Sequence, residues 1–291
     1  MKMKTVAQFL FLALPFLILV SCVKNNPDPS WLEVNEWTLE QNPNSQYPTG
    51  ELTQNFTDAW VYVNDEIIGI FEVPFKIPIL KNGSVNIKIF PTVRNNGISA
   101  TKKIYPFVEV YEVNVDLKQN ETVTLNPVTR YKSAVQFWLE EFELAALKIK
   151  NDPVSATQLQ KGNDPSILKW GNYYGYVNLS KTDSTWIGYT ESQMVLPKGQ
   201  DVYLELDYYN TNSLTTGVIG ISSSEVKNNP NITLNKQPAS NIKWKKIYID
   251  LRDIVSNSPN AEYFEQSFEA FIEANLQNSF VILDNIKVVH F

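Results

Sequence analysis

The chain has 291 residues, 43 % of them apolar and 12 % aromatic, enough to bury real cores in two ordinary domains and too apolar for wholesale disorder. Its 25 Lys and Arg against 31 Asp and Glu give a formal charge of −6, without the cationic surplus needed to neutralise phosphates, so nucleic acid is excluded as a partner. One cysteine (Cys22) and one histidine (His290) exclude disulfides, thiolate metal sites and nearly all imidazole chemistry, which argues against an enzyme.

The first 21 residues read as an export signal. Lys2 and Lys4 form a basic start, and Phe9 to Val20 is an apolar run broken only by Pro15. That run is too short for a bilayer span, which takes about 20 helical residues. Leu19-Val20-Ser21-Cys22 resembles the lipobox of bacterial lipoproteins, of the Bacteroidetes type in particular. The resemblance implies cleavage before Cys22 and acylation of that cysteine, with palmitate-like chains holding the protein to the outer membrane. Residues 22–30, polar and punctuated by proline, read as the tether. Val23, Lys24, Asn25 and Asn26 lack the acidic cluster that marks surface export in that group, which favours the periplasmic face.

From residue 31 to 130 the period is two. Val85, Ile87 and Ile89 alternate with Asn86 and Lys88, Val113, Val115 and Leu117 with Glu112, Asn114 and Asp116, and Val123 and Leu125 with Thr122 and Thr124. Turn residues separate these strands at Asn64-Asp65, Asn82-Gly83, Asn96-Gly97 and Gln119-Asn120, and the spacing predicts a small antiparallel sandwich. Trp60 to Gly69, followed by Pro74 and Pro78, resembles the PEGA β-module of cell-envelope proteins, which implies an adhesive or spacer role.

Residues 131–150 are ambiguous. Phe137, Trp138, Phe142 and Ala145 fit a helical stripe, whereas Phe142-Glu143 resembles the opening strand of a jelly roll. Beyond them strands resume. Val202, Leu204, Leu206 and Tyr208 alternate with Tyr203, Glu205, Asp207 and Tyr209, and Ile247, Ile249 and Leu251 with Lys246, Tyr248 and Asp250. The apolar run Phe280–Val289 predicts a central closing strand. The order of these segments and the LDNIKVV ending resemble galactose-binding-like jelly rolls, including carbohydrate-binding modules. The expected class is therefore all-β, with two sandwich domains, 31–130 and 131–291.

Trp170, Tyr173, Tyr174, Tyr176, Trp186 and Tyr189 form the candidate glycan platform, because sugar rings stack on exposed aromatic faces; the competing reading places these aromatics in the core. Glu205, Asp207, Asp250, Asp253 and Asp284 are the carboxylates a glycoside hydrolase would pair. The oxygen ligands at Asp284 or near Glu143 are the candidate site for a structural calcium of the kind some jelly rolls hold. Arg252-Asp253 and Lys243-Trp244-Lys245-Lys246 read as solvated faces. Asp183-Ser184-Thr185 resembles the short O-glycosylation motif of Bacteroidetes, with Ser184 as acceptor. Together these features predict a non-catalytic envelope lipoprotein that acts as an interaction or scaffold subunit of an outer-membrane assembly, with glycan-binding accessory protein as the alternative. Its expected partners are the membrane, through Cys22, other envelope proteins, and polysaccharide under the alternative.

Overall fold

A computed structural model describes residues 28–291; the segment expected to be an export signal, and Cys22, lie outside the described residues. The described chain is almost entirely β. The N-terminal module contains β1 (Ser30–Val34), β2 (Thr38–Glu40), β3 (Asp58–Val63), β4 (Glu66–Glu72) and β5 (Phe75–Ile79). It continues with β6 (Gly83–Arg94), β7 (Lys102–Ile104), β8 (Tyr111–Leu117), β9 (Thr122–Leu125) and β10 (Val128–Arg130). The C-terminal module opens with β11 (Gln136–Glu140), β12 (Ile149–Asn151), β13 (Gln160–Gly162), β14 (Tyr174–Ser180) and β15 (Thr185–Thr190). Then come β16 (Val202–Asn210), β17 (Leu214–Ile221), β18 (Val226–Leu234), β19 (Lys245–Asp250), the short helix α1 (Arg252–Ser256), β20 (Tyr263–Phe271) and β21 (Asn278–His290).

In the N-terminal module β6 is long enough to pair with β3 along one edge and with β8 and then β7 along the other. Val85, Ile87, Ile89 and Val93 of β6, with Val61 and Val63 beside them on β3, turn inward into one core with Leu32 and Val34. The purely antiparallel expectation needs correcting at two places, since β1 runs parallel to β9 and β2 parallel to β10. Those pairs join segments about ninety positions apart in the register, so long connections rather than hairpins bring them together.

The β3–β4 hairpin turns on Asn64 and Asp65, both left-handed at φ 52° and 63°, the backbone of a type I′ turn. The Asn64 side-chain oxygen also accepts the Asn86 amide at 2.8 Å. Asn64→Ala is expected to lower stability by about 1–2 kcal/mol, measured by urea denaturation, because alanine both tolerates this φ poorly and abandons that amide.

The C-terminal module is a two-sheet jelly roll. One sheet runs β13-β14-β21-β16-β19, with β11 also on β21, and the other β12-β15-β20-β17-β18. As the terminal apolar run predicts, β21 lies inside its sheet, flanked by β16 on one side and by β14 and β11 on the other. The helical option for 131–150 is overturned. Phe137 and Trp138 are successive residues of β11 and point to opposite sides, Phe137 against Tyr131 and Trp138 against the jelly-roll core. Phe142 lies in the turn after β11, buried at φ 60°, with its amide tied to the Glu140 carboxylate at 2.8 Å.

One irregularity governs the six-stranded sheet. Across from β16, Glu205 pairs with Lys287 and Asp207 with Asp284, so β21 carries one residue more than its partner. The extra residue is accommodated at Asn285, which is left-handed at φ 47°. Before this bulge Val281 and Leu283 face the core; after it Ile286 and Val288 do. Phe280, Ile282 and Asp284 are thereby placed on the outward face together with Lys287 and Val289, despite the odd spacing between 284 and 287.

That outward face is where the modules meet. Tyr203, Tyr248 and Val289 of the jelly roll belong to the same packed cluster as Phe56, Tyr105, Phe107 and Tyr131 of the N-terminal module. The polar residues that alternate along β16 and β19 are therefore buried, with Glu205, Asp207 and Lys246 at 9 % exposure or less. This corrects the expectation of a solvated Lys243-Trp244-Lys245-Lys246 run: Lys246 sits in the interface.

Candidate functional site

At the edge of the interface a cleft of about 780 Å³ opens between the two modules. Its floor is the outward face of β16 and β19, with Lys246 and Tyr248; one wall is the 52–55 segment with Arg94 and Gly97, and the other carries Trp170 and Trp244. Burial is tolerable at the floor because every charge is answered. The Lys246 ammonium lies 3.0 Å from Glu205 and 3.6 Å from Asp207, and donates to Thr53 Oγ1 at 2.9 Å. The Tyr105 and Tyr131 hydroxyls donate to Glu205 at 2.6 and 2.8 Å, and Thr53 donates to Asp207 at 2.5 Å. Burial pushes the Glu205 carboxyl up, but the Lys246 and Lys287 ammonium groups and the Tyr105 hydroxyl outweigh it and hold the carboxyl below the usual carboxylate range. On the Lys246 ammonium burial acts downward, and Asp207 and Glu205 overcome it, so its pKa rises. Burial drives the hydroxyls of Tyr105, Tyr131 and Tyr248 well above the ordinary tyrosine value, with the Glu205 charge adding to it, so they stay protonated; the first two donate to Glu205, and the third accepts the Asn55 amide at 3.0 Å.

Aromatic rings continue outward from the cleft. Trp170 packs edge-on against Trp244 at 5.4 Å, Trp244 leans on Tyr209 at 5.8 Å, and Tyr209 stacks on Phe280 at 5.9 Å with 12° between the planes. Trp244 is fixed by its indole N–H, which donates to the Ile167 carbonyl at 2.7 Å. All four rings are half-buried, each keeping part of its surface in solvent. Tyr176 lies on the same face of the sheet, opposite Ile282, with its hydroxyl on Gln160 at 2.6 Å. A row of partly accessible rings beside a polar cleft is the surface on which the apolar faces of sugar rings stack while flanking polar groups meet their hydroxyls.

The six predicted platform residues do not form one surface. Trp170 and Tyr176 stand on this face. Tyr173 is 37 % exposed in the loop before β14, beneath the Lys161 ammonium at 4.0 Å from its ring. Tyr174 is buried, because the chain near Asp164 and Gly162 covers it. Trp186 is fully buried: it belongs to the opposite sheet, faces the core against Phe268, and gives its N–H to Asn151 at 2.9 Å. Tyr189 shares strand β15 with Trp186 and is half-buried on that second sheet. The competing core reading therefore holds for Tyr174 and Trp186. Trp244, Tyr209 and Phe280 were missed, Trp244 because its basic neighbours marked the segment as plain surface. For Tyr209 and Phe280 a signal was present in their outward positions on β16 and β21, but it becomes readable only once the bulge at Asn285 is known. Ser184 sits half-buried where β14 turns into β15, its hydroxyl 3.5 Å from that of Thr185.

The paired carboxylates of a glycosidase do not line this cleft. Glu205 and Asp207 are engaged as described; Asp250 receives Lys103 at 2.8 Å and the Tyr203 hydroxyl at 3.3 Å; Asp253 is exposed on α1. Asp284 closes a separate cavity of about 60 Å³ with Glu51, Glu141, Glu143 and Asn285. Burial, reinforced by the charges of Asp207, Glu141 and Glu143, pushes its carboxyl up to about 8. Both side-chain polar atoms of Asn285 are buried there without a hydrogen-bond partner. Oxygen donors of this kind suit a hard cation such as calcium. Among the described residues, however, no three acidic, His or Cys side chains converge on one point. A cation would rely on Asp284, the Asn285 carboxamide and main-chain or water oxygens. Glu143 is already committed to the Asn172 and Tyr173 amides at 2.7 and 3.0 Å, and Glu141 to the Glu51 amide at 2.5 Å.

No family model and no curated protein matches the chain. Among solved structures it is similar to the CBM22-2 xylan-binding domain of Paenibacillus barcinonensis Xyn10C, at 13 % identity and a TM-score of 0.39, over 53 % of this chain and 99 % of that one. It is also similar to a family 29 carbohydrate-binding module, CBM29-2, solved with mannohexaose, at 10 % identity and a TM-score of 0.33, over 54 % of this chain and 91 % of that one. A third is the CBM22-1–GH10 portion of Clostridium thermocellum Xyn10B with xylohexaose, at 15 % identity and a TM-score of 0.37, over 53 % of this chain and 28 % of that one.

Proposed function

We propose that this chain is a non-catalytic carbohydrate-binding protein that takes a polysaccharide across the interdomain cleft and the aromatic row beside it. The observation that carries the reading is the connected series Trp170, Trp244, Tyr209 and Phe280, with ring centroids 5.4–5.9 Å apart and partly in solvent. Such apolar surface is retained at a site that gains by covering it. The leader suggests presentation by acylated Cys22 at the outer membrane, on its periplasmic face. The scaffold role expected from the sequence yields to this reading, because the most developed surface is a ligand cleft and not a flat docking face.

Trp244→Ala and Trp170→Ala are each expected to weaken binding of a recognised polysaccharide about thirty-fold, the loss of some 2 kcal/mol typical of a central aromatic anchor. Affinity electrophoresis against a polysaccharide panel, with Tm measured for each variant, checks this. Variants that melt with the native protein and migrate with it in every gel would overturn the reading.

A further inference from the structure

The cleft differs in charge from the molecule around it. The chain carries −6 overall, yet Arg94, Lys169, Lys243 and Lys245 line the cleft, and its one acidic side chain, Asp207, is bound internally to Lys246 and Thr53. Arg94 is answered by Glu72 at 3.0 Å. Lys169, Lys243 and Lys245 have no ion-pair partner among the described residues, and all three are exposed. Lys169 stands 4.6 Å over the ring of Trp170, so a positive charge is held at the aromatic wall itself.

Three unanswered ammonium groups beside stacking rings serve a ligand that is both a sugar and an anion. Ammonium groups can donate to the hydroxyls of a neutral glycan, as can Gln54, Asn55 and Ser99 in the same cleft, but only an anionic one also gains the attraction of their charge. An anionic glycan would be drawn into this cationic cleft of a protein that is acidic overall. Resting on the carbohydrate-binding reading, we propose that the cleft selects glycans carrying regularly spaced anionic groups, uronic carboxylates or sulfate esters.

The test uses the full chain and four polymers: polygalacturonate, its carboxyl-reduced counterpart, a sulfated galactan and the same galactan desulfated. The expected result is retention by at least one anionic polymer and loss of that retention when its charge is removed. Carboxylate and sulfate are told apart by which pair shows the difference. The variant Lys169→Gln/Lys243→Gln/Lys245→Gln, altered only at exposed positions, should keep the native Tm and lose about tenfold or more in affinity for that polymer, with a flatter salt dependence. Equal binding of charged and uncharged partners, or native affinity in the triple variant, would overturn the inference and leave the carbohydrate reading intact. Failure to bind these four and a panel of neutral xylans and mannans would overturn both.

Discussion

Glu205→Ala is expected to destabilise the protein by about 3–5 kcal/mol, because it leaves the buried Lys246 ammonium without its principal partner and removes the acceptor for two buried tyrosine hydroxyls. The comparison with neighbouring substitutions makes the cause visible. Tyr105→Phe and Tyr131→Phe each delete one donor and keep the ion pair, so each should cost about 1–2 kcal/mol. The triple change Glu205→Leu, Asp207→Asn and Lys246→Met leaves no carboxylate or ammonium unpaired and should recover part of the loss, the two tyrosine hydroxyls still lacking their acceptor. Urea denaturation of the full chain provides these numbers. A cost below about 1 kcal/mol for Glu205→Ala would mean that solvent reaches the interface and that the modules are not joined through this network.

Asp284→Asn is expected to stabilise. A carboxyl whose folded pKa is about 8, against 3.8 when free, binds its proton more tightly folded than unfolded. Below about pH 4 both states are protonated and the group costs nothing. As pH rises the unfolded state ionises first, the native state loses stability, and the loss is complete above about pH 8. Asparagine cannot ionise and still offers an oxygen to the Asn285 amide, which Asp284 accepts at 2.8 Å. The gain should therefore be absent near pH 4 and reach about 2–5 kcal/mol near pH 8. Lys287, whose burial lowers it to about 8, carries its own cost unchanged below that pH and so does not distort the window. Melting curves in chelator from pH 4 to 8 measure the difference, and a gain that stayed flat across this range would refute the assignment. Repeating them with millimolar calcium interrogates the same cavity: an ion held by Asp284 raises the Tm of the native chain alone.

The all-β class, the two modules and the inner position of the last strand were legible because alternation reports directly which side of a strand faces a core. What alternation cannot report is what covers the other side. Tyr203, Glu205 and Asp207 occupy the positions where solvent-facing residues belong, and they are polar enough to satisfy that expectation, but a second module lies over them and their polarity is used internally. Trp186 shows the converse. Its neighbours mark it as part of an aromatic cluster, and only the assignment of β15 to the opposite sheet removes it from the surface. Trp244 was hidden by the lysines around it, although those lysines are what gives its cleft a sign. The parallel pairings of β1 and β2 depend on partners about ninety positions away, a separation that no local pattern encodes.

Asn285 has the standing of a punctuation mark in the last strand. With one residue inserted there, the reading frame of in and out changes midway, and a single thirteen-residue strand delivers two messages on one side: rings and Asp284 toward the ligand end, Lys287 and Val289 toward the neighbouring module. Paired as an ordinary strand residue, Asn285 would invert the second half, with Lys287 driven into the jelly-roll core and Ile286 and Val288 turned toward the tyrosines of the other module. The joining of the two modules and the placement of the cleft at their seam thus rest on the left-handed turn of one residue as much as on the chemistry of its neighbours.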